Sequence, residues 1–224
     1  MTPPESHHIE RIVLASKSPY RRALLAAAGI AVDVVDAQVD ESVVVGATPK
    51  ATAEARALAK ARAAAGRVAP RSLVLGADQV VGFRGRVLDK AASAVEARLR
   101  LKELQGDVHT LHSAMSLVIV GDEGPIQEQF TSWCVDVPMG MRSLTDQEIT
   151  AYVATGEWEG SVGCYKYELR GGQLFELDGS LGADQSAIIG LPIPSLCSKL
   201  RWLGINLLIQ PQGPWTVTSP GNSI

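Results

Sequence analysis

Residues 14–25 read Leu14-Ala15-Ser16-Lys17-Ser18-Pro19-Tyr20-Arg21-Arg22-Ala23-Leu24-Leu25, and the stretch closes at Gly29. An apolar run over residues 11–15 ends in small polar residues. Ser18 then suits an N-cap, Pro19 the first helical position, and the apolar helix that follows stops at a glycine. A strand that feeds a helix N-terminus in this way is an α/β opening, and its free backbone N–H groups and helix dipole favour an anion. Arg21 and Arg22 place two cations in the first turn, which is unfavourable for the helix unless an anion binds there. The pattern points to a phosphate ligand; it also fits a solvated basic first turn on an ordinary strand–helix unit.

The chain of 224 residues is long enough for one large or two small domains with a full core. Its 21 Lys+Arg against 24 Asp+Glu leave a net charge of −3, so no global attraction to nucleic acid polymers or anionic membranes is expected. Cys134, Cys164 and Cys197 are odd in number, widely spaced and set in apolar surroundings, which reads as reduced and cytosolic rather than as a disulfide framework or a zinc site. No apolar run approaches the roughly 20 residues of a membrane span, and the polar start with His7-His8 does not read as a signal peptide. A cytoplasmic protein is expected.

Outward from the opening unit, residues 31–36 alternate as a strand and end in the acidic turn 36–41. Thr48-Pro49 starts an alanine-rich helix that stops at Gly66. Residues 72–77 have the continuous apolar character of a buried strand and place Asp78 at its C-terminal end, where open α/β sheets bind ligands. Residues 79–88, with Arg84-Gly85 in the middle, read as a hairpin returning Lys90 to that end. Ser93/Glu96 and Thr145/Glu148 are capping boxes for helices to Gln105 and Ala154. Between them, residues 108–120 and 127–137 predict an antiparallel ribbon joined at 121–124. Residues 161–172 are too glycine-rich for a helix; 174–177 read as a short strand, 193–203 as the last helix, and the proline-rich tail from Gln210 as mobile. One domain over 1–209, in two lobes around a cleft, with a tail at 210–224, is the expected organisation.

Glycine-rich phosphate loops are absent, which removes the usual support for kinase and dehydrogenase readings. His109 and His112 lie three apart in a β run, on opposite faces, and read as strand packing rather than a metal pair. What remains is a set of cations and carboxylates at strand ends, Arg21, Arg22, Glu41, Asp78 and Lys90. Those residue types suit metal-assisted phosphoryl or nucleotidyl hydrolysis, in which cations hold phosphates and a carboxylate binds metal or activates water. Taken singly, each of them reads better as a surface charge.

Ser16-x-Ser18-Pro19-x-Arg21-Arg22, Val39-Asp40-Glu41, Gly76-Ala77-Asp78-Gln79-Val80, Asp89-Lys90, Val162-Gly163-Cys164-Tyr165 with Glu168, and Ile189-Gly190-Leu191-Pro192 together resemble the Maf family of nucleoside triphosphate pyrophosphatases, in the family's order, over about residues 11 to 205. The resemblance implies an α/β fold of the Maf/ITPase-like kind, an elongated mixed sheet with helices and two lobes flanking a deep cleft. It implies hydrolysis of a nucleoside triphosphate to the monophosphate and pyrophosphate with a divalent cation, Mg²⁺, Mn²⁺ or Co²⁺, and a homodimer. By carry-over Asp78 is the proton acceptor, Ser16, Arg21 and Lys90 are phosphate-binding positions, joined by Ser18 and Arg22 in the same turn, and Glu41 with Asp78 contacts metal.

Substrate choice in the family is associated with positions that fall on Tyr20, Gln79 and Glu168. An aromatic or small residue with glutamine and glutamate resembles the branch acting on 7-methyl-GTP. There a cationic N7-methylated ring would meet the Tyr20 face, and Glu168 would accept guanine N–H donors. The family's usual lysine in its Leu-Ala-x-x-Lys-Ala helix motif falls in register on Arg62, with Lys60 two residues earlier, so Arg62 is the expected phosphate contact with altered geometry. The usual proline after Lys90 is Ala91, and the usual glycine after Glu168 is Leu169. Two alternatives stand beside this reading: a dTTP, UTP or CTP pyrophosphatase of the same family, and a non-catalytic nucleotide-binding regulator of septum formation.

Overall fold

The computed structural model describes residues 6–176 and 184–218. The chain opens with β1 (Ser6–Ile9) and β2 (Arg11–Ala15), turns into α1 (Pro19–Ala27), and continues through β3 (Asp33–Val35) and a 3₁₀ turn at Glu41–Val43 to α2 (Pro49–Ala65). Then come β4 (Ser72–Phe83), β5 (Arg86–Leu88), α3 (Ala94–Leu104), the long strands β6 (Val108–Gly121) and β7 (Gly124–Gly140), and α4 (Asp146–Val153). A 3₁₀ turn at Arg170–Leu174 leads towards α5 (Gln185–Ile189), α6 (Ile193–Trp202) and β8 (Trp215–Thr218). Among the described residues no helix is long and apolar enough to cross a membrane.

Six strands form a mixed sheet in the order β3-β2-β4-β6-β7, with β5 added beside the far half of β4. β2 runs parallel to β3 and β4; the pairs β4–β6, β6–β7 and β4–β5 are antiparallel. One edge of β4 pairs with β2 as far as Gly76 and with β5 from Val81 onward. The stretch between is a seam, and Asp78 and Gln79 lie in it. The strand expected to end at residue 77 therefore runs on to Phe83, because Val80, Val81 and Phe83 resume the buried apolar run. Asp78 is a mid-strand residue at an uncovered edge rather than a residue beyond a strand end.

The seam divides the apolar core. Leu73, Leu75 and Ala77 of β4 pack with Leu14, Leu25, Met115 and Leu200 in one lobe. Val81 and Phe83 pack with Leu101, Leu111, Met139, Ile149 and Tyr165 in the other. On the opposite face α2 lies directly on the sheet. Its small side chains Ala53, Ala57, Ala61 and Ala64 are fully buried, and they meet a strand position that has no side chain. A Cβ at Gly76 would stand 2.1 Å from the Ala57 carbonyl oxygen and 2.7 Å from the Ala61 nitrogen. Only glycine lets the helix backbone approach β4 this closely.

The helix caps follow the sequence. Ser18, Thr48, Ser93 and Thr145 each accept the backbone N–H three residues on. At Thr145 the box is reciprocal; at Ser93 the Glu96 carboxylate bonds the Ala92 N–H instead. Two expectations are corrected. Residues 170–174 form a 3₁₀ turn and Phe175 makes an isolated bridge to Met141 where a strand over 174–177 was expected; Leu177 lies outside the described residues. Within the tail, β8 pairs antiparallel with β1, and its alternating Trp215 and Val217 are buried in the first lobe. Burial of those two apolar side chains and the pairing with β1 offset the cost of ordering this part of the tail. Residues 219–224 lie outside the described set.

Substituting Gly76→Ala is expected to lower unfolding free energy by about 3 kcal/mol, the upper range for overpacking, since backbone rather than a flexible side chain must move. Urea unfolding measures this; an unchanged midpoint would show that α2 does not bear on β4 at this point.

Candidate active site

The opening stretch folds as a strand, turn and helix that wrap one guanidinium. Ser18 caps α1 through the Arg21 N–H (3.4 Å), and the Ser18 N–H donates to Ser16 Oγ (3.2 Å). Arg21 donates from Nε to the Gly190 carbonyl (3.0 Å) and from Nη1 to the Ala77 carbonyl in the seam (2.9 Å) and to Ser16 Oγ (3.2 Å). Three of its five N–H groups are thereby used, and those on Nη2 are left for an anion. Burial lowers the Arg21 pKa, the charges of Asp78 and Glu41 raise it again, and the guanidinium stays charged. Gly190 holds φ 121°, a value that favours glycine, and this turns its carbonyl towards Arg21.

The centre of the cleft is an ion triad. Lys60, reaching down from α2, places Nζ 2.6 Å from Asp78 Oδ1 and 2.7 Å from Glu41 Oε1. Lys60 and Asp78 are almost fully buried, whereas Glu41 is half-exposed on its 3₁₀ turn. Asp40 caps that turn by accepting the Ser42 N–H (3.0 Å), which fixes the entry of Glu41. Burial raises the Glu41 pKa, but its hydrogen bond to Lys60 and the charges of Lys60, Lys90 and Arg56 outweigh this and hold it below the usual carboxylate value. Asp78 Oδ2 is buried and has no hydrogen-bond partner among the described residues. Such an atom is expensive to leave bare, so it is the natural landing point for a water or a cation.

The far wall comes from the second lobe. Gln79 donates its amide to Ser113 Oγ (2.9 Å) and to the carbonyls of Ala187 (2.9 Å) and Ile188 (3.1 Å), leaving only its Oε1 acceptor for a ligand. The 156–169 loop is braced by Tyr165, whose hydroxyl is 2.7 Å from His109 Nε2 and whose ring meets Phe175 edge-on at 4.7 Å. Burial drives the His109 pKa down to about 4, so this histidine is a neutral packing residue. Tyr20, Lys90, Tyr167 and Glu168 complete a cavity of about 520 Å³. Leu169 has φ −117°, outside the left-handed region that would call for glycine.

The structure thus gathers Ser18, Tyr20, Arg21, Glu41, Asp78, Gln79, Lys90 and Glu168 around one cavity, with Ser16 directly behind Arg21. Two expected contacts lie elsewhere. Arg22, about 100° further round α1, is exposed on the outer side of the helix with Pro19, Ala23 and Ala26. Arg62 is exposed over the Phe130 ring at 4.7 Å; two residues along α2 is a rotation of about 200°, and Lys60 takes the cleft position in its place. The signal for Lys60 was available. It falls on the stripe Ala53, Ala57, Ala61, Ala64, and a lysine on a buried alanine stripe needs carboxylate partners.

An α/β fold that collects cations and a buried carboxylate at the uncovered edge of β4 is suited to phosphorylated ligands. The chain belongs to the Maf family: the family model for Maf-like proteins matches residues 11–203. A dTTP/UTP pyrophosphatase of Pelotomaculum thermopropionicum is 36% identical over 200 residues, 89% of this chain and 100% of the relative. A nucleoside triphosphate pyrophosphatase of Caulobacter vibrioides is 37% identical over 203 residues, 86% and 96% of the two chains. A 7-methyl-GTP pyrophosphatase of Cupriavidus pinatubonensis is 36% identical over 196 residues, 88% and 94%. Among solved structures, a HAM1 protein from Coxiella burnetii superposes with a TM-score of 0.51 at 16% identity, over 87% of this chain and 100% of that one, a likeness of fold. The expected family and its α/β fold are borne out.

Replacing Lys60 by methionine is expected to destabilise the protein by about 3–5 kcal/mol at pH 7, because the buried Asp78 carboxylate loses its counter-charge. The sign with pH follows from Glu41. Its lowered folded pKa contributes stability above the unfolded value near 4.5 and loses it as pH falls through the folded value. Unfolding midpoints of wild type and Lys60→Met should therefore converge on acidification below pH 4.5; a gap independent of pH would exclude the ion triad as its origin.

Proposed function

We propose that the protein hydrolyses a nucleoside triphosphate to the monophosphate and pyrophosphate, with Asp78 accepting the proton of the attacking water, and that its preferred substrate is a modified guanine nucleotide such as 7-methyl-GTP. The observation that carries the reaction is the free Asp78 Oδ2, buried at the seam beside three cations, Arg21, Lys60 and Lys90. The names of the relatives support the reaction class, since proteins matching most of the chain are called nucleoside triphosphate pyrophosphatases.

The donor set fits a hard divalent cation. Asp78 Oδ2 has no protein partner, Glu41 adds a half-exposed carboxylate, and both are oxygens, the donors that Mg²⁺ and Mn²⁺ take. When bound, such a cation would neutralise phosphate charge and supply Lewis acidity. The protein's own groups do the rest. Arg21 offers its free Nη2 hydrogens to a phosphate oxygen, already oriented by Gly190, Ala77 and Ser16. Lys90, at the cavity rim, faces the charge that develops on the departing pyrophosphate. Lys60 holds Asp78 by Oδ1, which leaves Oδ2 as the oxygen that meets the attacking water.

Base preference rests on what the far wall offers. With its nitrogen committed, Gln79 contributes only an acceptor, and Glu168 offers carboxylate oxygens as acceptors. Guanine presents adjacent N1–H and N2–H donors to such a wall, whereas thymine and uracil present one donor between two acceptors. Tyr20, 39% exposed at the rim, gives a face on which a cationic N7-methylated ring gains about 1 kcal/mol.

Asp78→Asn is expected to lower kcat about 100-fold or more while nucleotide binding by calorimetry persists. Orthophosphate as the released product, or undiminished turnover in the variant, would overturn the reaction. Among nucleotides at equal concentration, 7-methyl-GTP should exceed dTTP and UTP in kcat/KM, and Tyr20→Ala should lower its value about fivefold with little change for GTP. Faster turnover of dTTP and UTP by the wild type would favour the pyrimidine reading.

A further inference from the structure

A second cluster of metal-ligating side chains stands on the α2 face of the sheet, away from the cavity. His112 on β6 lies directly opposite Asp136 on β7, and Cys134, two residues before Asp136, projects from the same face. His112 Nδ1 is 2.8 Å from Asp136 Oδ1, and the Cys134 thiol donates to that same oxygen at 3.3 Å. All three donor atoms lie within 4.8 Å of one another. None of the three residues lines the catalytic cavity. We propose that His112, Cys134 and Asp136 form a separate site for a borderline-soft divalent cation, Zn²⁺ or Co²⁺, with a fourth position open to water.

The spacing fits. Bonds of about 2.0–2.3 Å in a tetrahedron set donor atoms about 3.3–3.8 Å apart, so the side chains need shift by about 1 Å or less. The ligands are held in place. The His112 ring sits over Gly82, where a Cβ would come within 2.6 Å of Nε2, which aims Nδ1 at Asp136. Asp136 Oδ1 faces the cluster while Oδ2 accepts from Lys50 Nζ at 3.1 Å, so a bound cation would not displace Lys50, and the lysine would orient the ligating carboxylate from behind. One thiolate, one carboxylate, a neutral imidazole and a divalent cation sum to zero charge; on binding the thiol proton leaves to solvent and the Nδ1 proton that His112 now shares with Asp136 gives way to the tautomer protonated at Nε2. A nitrogen–sulfur–oxygen set selects against Mg²⁺, which the all-oxygen cleft suits.

The test is Co²⁺ titration of the full chain in excess Mg²⁺, followed by thiolate-to-cobalt charge-transfer absorption. A saturable, stoichiometric band that Zn²⁺ abolishes is expected; it should vanish in Cys134→Ser, remain in Cys197→Ser, and need about 100-fold more Co²⁺ in His112→Ala. Circular dichroism checks that each variant is folded. Absence of the band, or its survival in Cys134→Ser, would overturn the proposal. Co²⁺ binding without a thiolate signature would likewise overturn it by placing the ion at oxygen ligands.

Discussion

One ammonium group shared by two carboxylates holds the cleft together. Burying Asp78 or Lys60 alone would cost several kcal/mol, and each is tolerated because the other lies 2.6 Å away. Glu41 then follows, drawing the turn after β3 onto the same nitrogen. The triad itself depends on an apolar contact with no charge in it: the alanine stripe of α2 against Gly76. A helix held off by one methyl group would carry Lys60 away from Asp78. The electrostatic centre is thus set by how closely two backbones pack.

Arg21 works in the same double way. Its contacts to Ala77 and Gly190 tie the start of α1 to the seam of β4 and to the turn after α5. These bonds stabilise the fold and also fix the direction of the two hydrogens left over. An arginine free to swing would lose side-chain entropy on meeting an anion; for Arg21 that loss is incurred on folding. The uncovered edge between Gly76 and Val81 makes this possible, because a continuous neighbouring strand would have taken the Ala77 carbonyl.

Local signals carried much of this architecture. Caps at Ser18, Thr48 and Thr145, the Arg84-Gly85 hairpin and the long antiparallel ribbon appear where residue chemistry placed them, because each depends on a few adjacent residues. What the sequence hid was non-local. Asp78 and Gln79 looked like the end of a strand because polarity marks a boundary only when nothing fills it; here the boundary is a cleft crossing an unbroken strand. Arg22 was read as a phosphate contact from its place in the first turn of α1 and Arg62 from its register with the family's helix lysine; helix rotation places both on exposed faces. Trp215 and Val217 were obscured by neighbouring prolines and a lack of periodicity, although a four-residue strand is too short to display any.

The two groups of potential ligands on this sheet differ in kind, and the difference follows from their surroundings. In the cleft, oxygen donors stand among several cations, so any ion there must compete with ammonium and guanidinium groups and would be favoured when a polyanionic nucleotide arrives with it. On β6 and β7, an imidazole, a thiol and a carboxylate are already in mutual contact, with a single lysine on the outer carboxylate oxygen. Binding there would require no polyanion, only loss of the thiol proton and a change of the His112 tautomer that frees Nδ1. The α2 helix touches both groups, through Lys50 near its first turn and Lys60 almost three turns later. Its placement on the sheet is therefore constrained at two charged points as well as by the alanine stripe between them, and a shift at either end would be felt in the position of Lys60.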